Sequence, residues 1–141
     1  MTSQDHDRPE ASAHGQYLQA VVTELRGLDV AVADVVVESV PIRRGRMTIS
    51  EPAPAGTEAE AEWVRLMWTE RQGWSWQVCF EGEQPRIPTY FGLALVPPPS
   101  QVATWLVVAL RHPAVEPTRE ADDLDRTRLE EDLLAYASTA T

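Results

Sequence analysis

Outside its many carboxylates, this sequence holds four side chains that could carry acid–base, nucleophilic or metal chemistry near neutral pH: His6, His14, His112 and Cys79. A zinc site would need such residues at short, turn-compatible or helical spacing, as in an HxxxH or paired His/Cys pattern. These four are scattered, so no metal ligand set and no cofactor is expected. Cys79 has no sequence-adjacent partner signature and reads as a small packed side chain rather than a nucleophile. No Walker loop, GxGxxG, GxSxG or paired-acid motif occurs, and no catalytic residue is assigned.

Two further groups could bind rather than react. Arg43, Arg44 and Arg46 flank Gly45 and could hold a phosphate or an acidic partner, against the plainer reading of a solvated turn. Four of the five tryptophans fall between Glu60 and Gly82, where they could build a ligand platform. Their period-two placement argues instead for a sheet that buries most of them.

The elements that would position these residues can be read from periodicity. With 141 residues and 43% hydrophobic content the chain is long enough to bury a core without disulfides. The polar, acidic start lacks the basic end and apolar run of a signal peptide, and no stretch approaches the roughly 20 apolar residues of a membrane span. Both point to the cytoplasm and away from membranes. All 12 basic residues are arginine, with lysine and asparagine absent, which marks a GC-rich source. The formal charge of −10, half of it in the last thirty residues, opposes non-specific nucleic-acid binding.

Residues 1–13 lack periodicity and are expected to be a disordered tail. Tyr17, Leu18, Val21, Val22, Leu25 and Leu28 recur at helical spacing and predict a helix ending near Gly27. Asp29 to Val40 is too β-branched for a comfortable helix and predicts a strand that is either buried on both faces or bulged. Arg46 to Ser50 predicts a short strand with Met47 and Ile49 inward, and Glu51 to Glu60 a proline-marked loop.

The central feature is a hairpin, Glu62 to Thr69 and Trp74 to Phe80. A three-residue loop Arg71-Gln72-Gly73, with Gly73 at positive φ, would pair Glu70 with Trp74 and Trp68 with Trp76. Val64, Leu66, Trp68, Trp74, Trp76, Val78 and Phe80 then form the core face. Trp63, Arg65, Met67, Thr69, Ser75, Gln77 and Cys79 form the other, suited to a half-wet surface or a contact patch. A four-residue loop would move Trp63, Arg65 and Met67 to the core side; the glycine favours the first register.

Thr89 to Val96 predicts a last strand with Phe91, Leu93 and Leu95 on one face. Pro99 or Ser100 to Arg111 predicts a helix that is apolar nearly all round. Residues 113–121 form a linker. Asp122 or Asp123 can cap an acidic amphipathic helix within 122–141, with Leu129, Leu133 and Tyr136 sharing a face. The whole reads as an α+β domain over 14–112: a two-layer sandwich, an antiparallel sheet of about five strands with two helices on one face. The C-terminal helix would be separable from it.

Tyr17 with Val21 and Leu25 on the opening helix, Trp68 and Gly73-Trp74 across the hairpin, the proline stop and Trp105 resemble a family of small uncharacterised actinobacterial domains of unknown function. The resemblance covers about residues 14–112 and implies no activity, cofactor or site residue.

The leading functional expectation is a non-enzymatic interaction module, an adaptor or regulatory subunit. It would bind another protein or a second copy of itself, and neither nucleic acid nor membrane, through Trp63, Arg65, Met67, Trp105, Leu129, Leu133 and Tyr136. One alternative is a small-ligand or enzymatic pocket between sheet and helices using Arg65 and Cys79. Another is an acidic nucleic-acid mimic.

Overall fold

The structure is a computed structural model that describes residues 13–51, 61–92, 94–111 and 126–137. In chain order these form α1 (Ala13–Gly27), β1 (Ala31–Glu38), β2 (Arg44–Glu51), β3 (Ala61–Thr69), β4 (Gly73–Phe80), β5 (Thr89–Tyr90), α2 (Pro99–Arg111) and α3 (Leu129–Ala137). The strands make one antiparallel sheet in the order β1-β2-β3-β4-β5, so each strand pairs with its sequence neighbour. This is the α+β class expected. The N-terminal tail, the loop after β2, the linker and the expected cap at Asp122 or Asp123 lie outside the described residues; at 126–128 the chain is coil and turn, and helix begins only at Leu129.

Helix α1 forms because its apolar residues recur every three or four positions. Tyr17, Leu18, Val21, Val22 and Leu25 are all essentially inaccessible. It ends in a Schellman arrangement: the Val30 N–H donates to the Leu25 carbonyl and the Asp29 N–H to the Arg26 carbonyl, with Asp29 in the left-handed region at φ 63°. The left-handed residue is therefore Asp29 rather than Gly27, and Leu28, the last residue of the apolar periodicity, is half exposed. α1 packs against α2 and α3 and against β1 and β2, so it is the hub of the helical layer.

In β1 the second of the two expected alternatives holds. A bulge interrupts the pairing between Ala33 and Val36, and Asp34 there has φ 51°. The extra residue bends an edge strand that would otherwise offer a flat row of unpaired groups.

The hairpin pairs differently from expectation. Trp68 faces Trp74, Leu66 faces Trp76 and Thr69 faces Gly73, a register two residues away from the one expected. Glu70 explains it. Its N–H donates to the Arg43 carbonyl and its carboxylate receives the Arg43 backbone and guanidinium N–H groups, so it is drawn sideways out of the ladder. The Thr69 hydroxyl instead accepts from the Gln72 N–H and closes the turn. Gly73 does take positive φ, 72°. A shift of two leaves every side chain on its original face, so Val64, Leu66, Trp68, Trp74, Trp76, Val78 and Phe80 all lie in the core.

The last strand is shorter than expected. Instead of Thr89 to Val96, only Thr89 and Tyr90 pair, and the final ladder-like bond runs from the Phe91 N–H to the Trp74 carbonyl. Gly92, at φ 76°, then turns the chain away. Beyond it the Leu95 carbonyl accepts from Trp68 Nε1 at 2.7 Å and the Pro97 carbonyl from the Tyr17 hydroxyl at 2.5 Å. These carbonyls satisfy core donors instead of a sheet ladder, and Leu95 is buried beside them.

Helix α3 is not separate. Leu129 and Leu133 belong to the core cluster, the latter fully buried, and Tyr136 sits 4.9 Å from Tyr17 between ring centroids. The amphipathic face expected to meet another molecule is spent on α1.

Candidate interaction surface

The interior between sheet and helices is built from aromatic rings whose polar atoms are mostly paired. Trp74 Nε1 donates to the Tyr17 hydroxyl at 2.9 Å, and that hydroxyl donates onward to Pro97. His14 stacks on Trp68 at 6.0 Å and its Nε2 meets the Glu38 carbonyl at 3.0 Å; a carbonyl only accepts, so Nε2 carries a proton. Burial is the main influence that lowers the His14 pKa, and burial raises that of Tyr17. Tyr17, Trp68 and Trp74 have no accessible surface. Arg65 and Cys79, the polar groups expected to line a cavity there, sit on the opposite side of the sheet.

The arginine cluster is divided among different tasks. Arg43 bridges Glu70 at 2.8 Å and also binds Glu130 of α3, tying the hairpin turn, the start of β2 and the third helix together. The hydrogen bond from Arg43 holds the Glu130 carboxyl low. Burial pushes Glu70 up, but its several Arg43 contacts outweigh that and leave it low as well. Arg44 pairs with Glu38 at 3.2 Å. Only Arg46 of the three stays exposed without an ion pair among the described residues, so the three do not converge on a phosphate site.

Strand alternation gives the sheet a second face, turned away from the helices. Because directly paired residues share a side, Val36, Arg46, Met67 and Ser75 form one row across four strands, and Ala33, Thr48, Arg65 and Gln77 form the next. Trp63 lies opposite Cys79 at the end of β3. The Arg65 guanidinium rests over the Trp63 ring at 4.2 Å, a cation–π contact between two side chains of the same strand. Trp63, Arg65 and Met67 are all half-buried. Cys79 is buried among Glu62, the Glu83 carbonyl at 3.5 Å and its own strand; burial and then the Glu62 carboxylate push its thiol up, away from the reactive thiolate. Among the described residues no group of three His, Cys, Asp or Glu could hold a metal, and no helix is long and apolar enough to cross a membrane.

Residues 17–108 match the family described as Family of unknown function (DUF6292). The chain belongs to that family. Neither a curated protein nor a solved structure matches it significantly. The DUF6292 match runs from Tyr17, the ring at the heart of the core, to Val108 on α2 and includes the whole sheet. α3 lies beyond it, yet packs onto the DUF6292 domain through Leu129, Leu133 and the Glu130–Arg43 contact.

Of the seven residues expected to form a partner surface, the structure brings together Trp63, Arg65 and Met67 on the outer sheet face. Trp105 is elsewhere, half-buried on α2 with its ring edge-on to Phe91 at 5.5 Å. Leu129 and Leu133 are in the core, and Tyr136 is largely occupied by Tyr17. Arg46, singled out only as a member of the arginine cluster, joins this face, as do Val36 and Thr48, which were not singled out. The inward setting of Met47 and Ile49 already implied that Arg46 and Thr48 point the other way, but only the strand order shows what they lie beside.

Proposed function

We propose that this member of the DUF6292 family is a cytoplasmic, non-enzymatic interaction module of an actinobacterium. It binds another protein through the outer face of its sheet, around Trp63, Arg65 and Met67. The observation that carries this reading is the one-sided layering. Among the described residues all three helices pack into the single core on the inner face, while the outer face presents an aromatic ring, a thioether and two arginines in adjacent rows. Aromatic residues, methionine and arginine are the types enriched where proteins meet. Most polar groups of the interior serve one another, Trp76 Nε1 being an exception among the described residues, and burial raises the pKa of the Cys79 thiol; both favour binding over catalysis as the role of this fold.

The test compares the full-length chain with a Trp63→Ala/Met67→Ser variant in quantitative affinity capture from the native host, with Trp105→Ala as the control. A stoichiometric partner kept by the wild type and by Trp105→Ala but lost from the double variant is the expected result. A partner retained by the double variant, or lost only from Trp105→Ala, would move the surface elsewhere.

A further inference from the structure

Resting on that reading of the outer sheet face, we infer that its partner is an acidic polypeptide segment in extended conformation, carrying carboxylates two residues apart next to a large apolar residue. The chain has 22 acidic against 12 basic residues, so carboxylates are in excess. Arg43, Arg44, Arg86 and Arg128 each pair with one or two of them. Arg26, Arg46, Arg65, Arg71, Arg111 and Arg126 form no ion pair among the described residues; of these, Arg46 and Arg65 lie on adjacent strands of the outer sheet face, where Arg65 rests on the face of Trp63. Two neighbouring guanidiniums without an ion pair among the described residues make a local positive site, bordered at the Cys79 end by the Glu62 carboxylate.

Their spacing selects the ligand. Arg46 is paired with Met67 and Arg65 is two residues along the same strand, so the two arginines are diagonal neighbours across β2 and β3. Diagonal positions on adjacent antiparallel strands lie about 7–8 Å apart. Alternate side chains of an extended peptide project to one side at about 6.6–6.8 Å, twice the rise per residue. An Asp/Glu-x-Asp/Glu segment can therefore meet both guanidiniums at once, each in the planar two-point geometry that arginine offers a carboxylate. Trp63 and Met67 flank Arg65 on the same side of β3 and supply apolar area for an adjoining side chain.

The overall charge of −10 repels an acidic partner at long range. At physiological ionic strength that repulsion is screened beyond about 8 Å, so once in contact the partner feels the local arginines. A nucleic-acid strand, with charge repeating along its whole length, suffers the repulsion from the rest of the chain as well.

A random-peptide display library selected on the immobilised full-length chain tests this, followed by anisotropy titration of the labelled winners against wild type, Arg46→Gln, Arg65→Gln and Trp63→Ala. The expected winners carry an Asp/Glu-x-Asp/Glu pair beside an aromatic or long aliphatic residue, and each arginine substitution weakens them on the order of tenfold. Circular dichroism melts of the variants confirm that they are folded. Winners without acidic pairs, binding unchanged by both arginine substitutions, or no enrichment at all would overturn the acidic-partner inference. So would displacement of the winners by an oligothymidylate strand at equal concentration, which would make the site one for nucleic acid. Winners lacking acids whose binding nevertheless disappears in Trp63→Ala would leave the outer face standing as an interaction surface. Winners indifferent to all three substitutions would remove both readings.

Discussion

Leu133→Ala is the perturbation that most directly tests how α3 is used. Leu133 is fully buried, whereas its chain neighbour Leu134 is 58% exposed, so the same substitution at the two positions differs in burial alone. Removing three buried carbons loses roughly 0.8 kcal/mol each in transfer free energy. The space left between α3 and α1 adds a cavity penalty, giving about 3 kcal/mol within the 2–5 kcal/mol range of buried Leu→Ala changes. For a chain of this size each kcal/mol shifts the midpoint by about 3–5 °C, so a fall of about 9–15 °C is expected. Leu134→Ala should stay within about 0.5 kcal/mol of wild type. Equilibrium urea denaturation followed by tryptophan fluorescence measures both, and an unchanged m-value confirms that the same surface unfolds. If the two variants differ by less than about 0.5 kcal/mol, α3 does not complete the core and its packing on α1 is refuted.

Three other perturbations have defined outcomes. At Gly45 a Cβ would meet Leu18 Cδ1 at 2.3 Å and the Val36 carbonyl at 3.3 Å; Leu18 is fully buried and has little room to move, so Gly45→Ala should destabilise by about 1–3 kcal/mol in the same urea assay. At Gly73, where φ is 72°, Gly73→Ala should cost more than about 1 kcal/mol by thermal denaturation, because alanine is strained in that region. The depressed pKa of His14 means the unfolded chain takes up the proton first, so its stabilising contribution is present above about pH 6.5 and fades as the pH falls through the lower folded-state value. His14→Gln should flatten the stability profile just below neutrality; the loss from Glu70 and Glu130, whose carboxyls are held low, should persist at more acid pH because their stabilisation disappears only as they protonate. An unaltered slope in His14→Gln between neutrality and mild acid would contradict the buried, neutral imidazole.

Local periodicity by itself determined much of this protein. The three-to-four spacing of Tyr17, Leu18, Val21, Val22 and Leu25 can bury one face only as a helix. The alternation in Val64 to Trp68 and Trp74 to Phe80 sorts the tryptophans, and sends Trp63, Arg65 and Met67 to the other face whichever of two even-spaced registers is taken. Side-chain direction in a strand depends on parity alone, so that sorting survived a wrong pairing. The left-handed glycine at 73 was legible for the same local reason.

Tertiary structure decided the rest, because those choices depend on groups far away in sequence. Glu70 leaves the hairpin for Arg43, 27 residues earlier. β5 stops after two residues because the following chain is drawn to Trp68 and Tyr17, the latter 80 residues from Pro97. The pattern of Leu129, Leu133 and Tyr136 states that α3 needs an apolar surface to lie on, but an amphipathic helix reads the same whether that surface is its own chain or another. Only the packed position of α1, with Tyr17 meeting Tyr136 and Arg43 within reach of Glu130, settles that the surface is its own.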